Sequence, residues 1–195
     1  MNKLTRDDLF SLEKYAEVRP DFRARVMEHK KNRRLAIGPN ANLYFEDRLT
    51  IQYQIQEMLR IEKIFEVDGI NEELEAYNPL IPEGKNWKAT FMLEFGDADE
   101  RKMKLAELVG VEANVWIQVE GFDRIVPIYN EDLERSTESK TSSVHFMRFE
   151  LTDEMINALK SGASLSAGID NPSYPHIVDP VAKNICNALI EDLEY

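Results

Sequence analysis

Five residues on two stretches of the chain have types and spacing that could build a polar site. Over 48–67 (RLTIQYQIQEMLRIEKIFEV) a helical step of about 100° per residue aligns Ile51, Ile55, Met58 and Phe65 in one stripe, with Glu62 inside it. Over 20–34, Phe22 and Val26 form the matching stripe, and His29 and Arg33 continue it. Both apolar seams therefore turn polar near their ends. A carboxylate drawn into such a seam must find a cation or stay protonated. The plainer expectation is an Arg33–Glu62 ion pair at a semi-exposed helix end. The functional one is a pocket for an anion or a metal. Glu57 and Arg60 lie on a second face of the longer helix, three residues apart, where a local ion pair is the default. Glu46 and Asp47 precede that helix and suit its positive end.

Other chemistries fit less well. The chain has no His-Glu-x-x-His and no pair of Glu-x-x-His motifs, and His29, His145 and His176 are far apart in sequence. The metal reading that is left is a mixed ligand set from His29, Glu57 and Glu62. No Gly-x-Ser-x-Gly elbow and no Gly-x-Gly-x-x-Gly loop occurs, and Gly38-Pro39-Asn40 reads as a turn. The single cysteine, Cys186, falls in an amphipathic last helix as a small core residue, and one thiol cannot hold an iron–sulfur cluster. Tyr174-Pro175-His176 reads either as a pocket lining or as a turn with packed aromatics, the plainer expectation.

Charge divides the chain. Its 195 residues include 24 Lys and Arg and 36 Asp and Glu, a net charge of −12. Residues 1–63 carry +3 and residues 64–195 carry −15. The segment 19–34 concentrates seven basic residues against two acidic ones. It reads either as a basic helix docked on the acidic half of the chain or as a face for an anionic partner, with Arg23, Arg25, Lys30, Lys31 and Arg34 as the docking residues. The acidic total and the lack of an aromatic-interleaved basic strand argue against nucleic acid. No apolar run approaches a membrane span and no signal-peptide core opens the sequence, so a cytoplasmic protein is expected.

The elements that must position these residues read as α+β, with a helical N-terminal half packed on a mostly antiparallel sheet with helices in the C-terminal half. Helices are expected near 6–17, 20–34 (Pro20 in its first turn), 48–67, 72–77, 98–109, 152–160 and 181–193. Strands are expected near 88–95, 115–121, 124–130, 144–151 and 164–170, with a shorter extended piece at 41–46. The polar stretch 131–143 reads as a loop and NPSYPHIVDP as a Pro-rich connection. A helical region 1–80 and an α+β region 87–195 would meet near 78–87, as two units or as one compact domain.

LTRDDLFSLEKYAEVRPDFRARVMEHKKNRR, LYFEDRLTIQYQIQEMLRIEKIF and ELEAYNPLIPEGKNWKATFMLEF resemble a bacterial family of uncharacterised proteins, a domain of unknown function. The likeness runs from residue 4 to about 130 and continues more weakly through FELTDEMINALKSGASLSAGIDNPSYP. The family brings no catalytic residues. Its pattern has His before Pro172, where this chain has Asn171, so no ligand role carries over there. It implies a setting, since its genes accompany those of rubrerythrin-like proteins and iron–sulfur oxidoreductases. Three readings follow. The first is an accessory or interaction protein of a cytoplasmic redox or oxidative-stress system, with a rubrerythrin-like or iron–sulfur oxidoreductase partner, and not an enzyme. The second is a metal- or anion-binding protein or small-molecule enzyme using His29, Arg33, Glu57, Arg60 and Glu62. The third is a structural homo-oligomer without ligand.

Overall fold

The computed structural model describes residues 3–131, 135–137 and 139–194. In chain order it contains α1 (Leu12–Lys30), β1 (Arg34–Ile37), β2 (Ala41–Phe45), α2 (Arg48–Glu62), α3 (Val67–Tyr77), β3 (Asn86–Leu93), α4 (Ala98–Glu107), β4 (Val115–Val119), β5 (Ile128–Tyr129), β6 (Val144–Glu150), α5 (Asp153–Lys160), β7 (Leu165–Asn171), β8 (Tyr174–Val178) and α6 (Lys183–Ile190). The class is α+β, and every strand pair is antiparallel. One sheet has the order β1-β2-β3-β6-β5 and the other β4-β7-β8.

Alternation along the strands places the core. Leu43 and Phe45 of β2, Trp87, Ala89 and Phe91 of β3, and Met147 and Phe149 of β6 point to one face of the larger sheet. Ile117, Ala167 and Ile169 of the smaller sheet meet them, and α5 and α6 add Ile156, Leu159, Ile185 and Leu189. Two further clusters hold the helices. Tyr15, Phe22 and Val26 of α1 pack with Leu49 and Tyr53 of α2. Ile51, Ile55 and Leu59 on the far side of α2 pack with Leu74 of α3 and with Leu4.

Several elements differ from the sequence reading. The helices expected at 6–17 and 20–34 are one helix, capped by the Ser11 side chain on Lys14 N–H, with Pro20 in its interior. Pro20 removes one helical hydrogen bond and leaves the Ala16 carbonyl without its donor, but both residues face solvent, where water replaces the bond. Arg33 and Arg34 lie beyond that helix, Arg34 opening β1. The α2 helix stops at Glu62 because Lys63 takes a left-handed conformation (φ 57°) and donates to the Leu59 carbonyl. Phe65 therefore leaves the stripe and is 70% exposed. The N-terminal half is not purely helical. The β2 strand pairs with β3 from Ala41↔Leu93 to Phe45↔Ala89, so a sheet bridges the seam expected near 78–87. Tyr174-Pro175-His176 is not a turn but the start of β8, paired to β7. The loop expected at 131–143 falls partly outside the described residues.

Tyr174 joins the two sheets at the turn between β1 and β2. Its hydroxyl donates to the Ile37 carbonyl (3.0 Å) and accepts from the Asn40 and Ala41 amides (2.8 and 3.0 Å). The approach is so close that a Cβ on Gly38 (φ 75°) would meet the His176 ring at 2.5 Å. Tyr174→Phe leaves three backbone groups without their partner. It should cost about 2–3 kcal/mol of stability in a denaturant melt, with the native fold retained.

Candidate functional site

The α1 and α2 helices run antiparallel, and this decides which candidate residues meet. The start of α1 faces the end of α2, where the Tyr15 hydroxyl donates to Glu57 (2.8 Å). The end of α1 faces the start of α2, where His29 Nε2 lies 2.5 Å from Asp47 Oδ2. Glu57 is ten residues beyond Asp47, roughly 15 Å along the helix. The five residues of the expected pocket thus separate into three places.

His29 and Arg33 belong together, joined by Asp47. One Asp47 oxygen caps α2 through Thr50 N–H (2.8 Å), while Oδ2 faces His29 and lies 3.4 Å from Arg33 Nε. The Arg33 guanidinium, 3% exposed, also donates to the carbonyls of Phe45 (3.2 Å), Glu46 (3.4 Å) and Ala188 (3.3 Å) and to the Asp192 carboxylate. The expected Arg33–Glu62 pair does not form. Burial pushes the Asp192 carboxyl up to about 6, with Arg33 and His29 pulling it down and Asp47 adding to the upward push. Such a guanidinium is occupied by protein acceptors and is not presented to an incoming anion. His29, at one-third exposure, is the member of the group open to water.

Glu57 and Arg60 make the local pair their spacing sets (3.0 Å), but the stronger partner is Arg19, whose Nε and Nη2 reach the two Glu57 oxygens at 2.8 and 2.9 Å. The Arg19 guanidinium, with Arg60 and the Tyr15 hydroxyl behind it, holds the Glu57 carboxyl down at about 2, against the upward push of burial. Burial, and then the same carboxylate, raise the Tyr15 phenol. Glu62 is exposed at the end of α2 and joins neither group. The site expected from His29, Glu57 and Glu62 is therefore not assembled. Among the described residues no cluster of three or more His, Cys, Asp and Glu is placed to hold a metal ion. His145 is fully buried elsewhere, with Nε2 2.9 Å from Thr141 Oγ1 and 3.0 Å from the Ser142 carbonyl, and burial lowers its pKa. His176 packs on Tyr174, and burial raises the Cys186 thiol, making it a poor nucleophile at neutral pH.

The docking residues divide as well. Arg23, Arg25 and Lys31 are exposed on α1 and the turn after it. Arg25 lies over the Phe22 ring, Lys30 over the Tyr53 ring, and Lys31 pairs with Glu28. Arg34 is on β1, donating to Asn42 (2.9 Å) with Glu94 nearby (3.9 Å), so it is not part of the helical face.

Residues 3–193 match the DUF3501 family, described as "Protein of unknown function". The chain belongs to this family. A crystal structure from Burkholderia pseudomallei, described as a novel protein of unknown function, is 49% identical, with a TM-score of 0.94 over 99% of this chain and 100% of that one. No curated protein matches the chain. Among the described residues no helix is long and apolar enough to cross a membrane.

Asp192, Arg19 and Tyr15 were absent from the sequence reading. Asp192 lies 159 residues from Arg33, and no periodicity links them. Tyr15 and Arg19 are four apart on the face of α1 that meets α2, a signal hidden by breaking that helix at Pro20. Glu57→Gln should destabilise the protein by about 1–2 kcal/mol at pH 7. A carboxyl depressed from about 4.5 to about 2 contributes stability above its unfolded value and loses it as pH falls through that window. The wild-type and Glu57→Gln melting curves should therefore converge between pH 4.5 and 2.

Proposed function

We infer that this protein is an accessory, partner-binding protein of a cytoplasmic redox or oxidative-stress system, using the basic end of α1 to dock a rubrerythrin-like or iron–sulfur oxidoreductase. The observation that carries this reading is where the charge goes. Of the basic segment, Arg33 and Arg34 just beyond α1 turn to acids of the acidic half, Asp192 and Glu94, whereas the exposed arginines of α1 do not. α1 buries its apolar stripe against α2, and Arg23 and Arg25 face solvent without an ion pair among the described residues. A field of one sign on an exposed helix steers a partner of opposite sign and contributes more to association rate than to final affinity.

A second surface has the same character without charge. Ile61, Phe65 and Val67 are exposed together at the junction of α2 and α3. Apolar surface of this kind is what partner proteins or further copies cover. The candidate polar groups favour binding over catalysis, since Arg33 and Glu57 are each enclosed by their own partners. The redox setting comes from the family's gene company.

Arg23→Glu with Arg25→Glu should weaken capture of the neighbouring iron–sulfur oxidoreductase about tenfold, mostly through a slower on-rate, and wild-type binding should fall as salt rises. Surface plasmon resonance at two ionic strengths reads both. Equal, salt-independent binding by the two proteins would contradict the reading, and self-association in place of capture would favour a homo-oligomer.

A further inference from the structure

On the face of the larger sheet away from the core, a cleft of about 580 Å³ lies between that sheet and the end of α3 with the turn that follows. Its volume falls in the range of small-molecule sites. Tyr77 and Leu80 line it from the helix side and Phe146 from β6. Lys88 of β3 and Arg148 of β6 also line it, and they are direct cross-strand neighbours. Two like charges in that register repel, so the pair is stable only with anions beside it.

The anions now present are more exposed than the cations they pair with. The Lys88 side chain is 9% exposed, donating to the Pro79 carbonyl (2.7 Å) with Glu83 at 3.4 Å, and Arg148 is 26% exposed. Glu83, Glu150 and Glu131 are 58%, 44% and 51% exposed. Glu131 binds Arg148 in a two-pronged manner, Nε to Oε2 at 3.0 Å and Nη2 to Oε1 at 2.7 Å. A half-exposed carboxylate regains its hydration when displaced, whereas a largely buried cation must keep a counter-charge, so an exchange of one carboxylate for another on Arg148 keeps the pair intact. The fork geometry on Arg148 is the one a free carboxylate makes. From this geometry we propose that the cleft is a binding site for a small organic carboxylate with an apolar body. The ligand's carboxylate takes the place of Glu131 on Arg148, and its body lies against Tyr77, Leu80 and Phe146. Glu131 acts as a built-in competitor that keeps the site closed to weak ligands. The inference is independent of partner docking, because none of these residues is on α1.

The test is ligand-observed NMR and calorimetry on the full chain with octanoate as the probe and octylamine and octanol as controls. Octanoate should bind and both controls should bind at least tenfold more weakly. Glu131→Gln should tighten octanoate about tenfold by removing the competitor. Arg148→Gln should abolish binding. Should that variant fail to fold, Glu131→Gln still decides, since it removes no buried charge. Absence of octanoate binding, octylamine binding as tightly as octanoate, or unchanged affinity in Glu131→Gln would each overturn the proposal.

Discussion

The buried guanidinium of Arg33 is the constraint around which the rest of this fold is arranged. Removing a full positive charge from water costs several kcal/mol unless its donors are matched. Here they are matched by acceptors from four separate places. These are the end of β2 through Phe45 and Glu46, the cap of α2 through Asp47, the last turn of α6 through Ala188, and Asp192 beyond it. Each acceptor fixes one element relative to the others. The corner where the helical hairpin leaves the sheet is thereby tied to the C-terminal end of the chain. Trp87 reinforces the same corner, donating from Nε1 to the Leu189 carbonyl at 2.8 Å.

This arrangement separates structural charge from available charge. Arg19 and Glu57 join α1 to α2, Arg33 ties the chain just beyond α1 to β2, α2 and the C-terminal end, and their partners surround them. At the periphery lie the exposed arginines of α1, the apolar corner at Ile61, Phe65 and Val67, and the cleft over Lys88 and Arg148.

Much of the fold was legible because local rules act locally. The alternation in VHFMRFEL and KATFMLEF, the Gly38-Pro39-Asn40 turn, and the Thr152 cap of α5 all specify their elements within a few residues. The failures have physical causes. Proline favours a first turn, so Pro20 suggests a helix start, yet an exposed helix face tolerates it with water on the freed carbonyl. The polar stripe of His29, Arg33 and Glu62 assumed two helices longer than they are. Lys63 ends one by a left-handed turn, and the other ends before Arg33, which then swings into the core. Asp47 caps α2 as its position before the helix suggests, but its second oxygen serves the buried cluster. The tie from Arg33 to Asp192 spans nearly the whole chain, so single-sequence spacing carries no trace of it.

The central claim is that Arg33 and Asp192 are energetically coupled across the fold. A double-mutant cycle with Arg33→Met and Asp192→Asn, read by chemical denaturation at pH 7.5, tests it directly. Arg33→Met alone should cost about 3–5 kcal/mol, because it strands a buried carboxylate. The double variant should recover about 2 kcal/mol or more relative to the sum of the single changes. Additive costs within a few tenths of a kcal/mol would show that the pair does not hold the C-terminal segment, and would contradict the account.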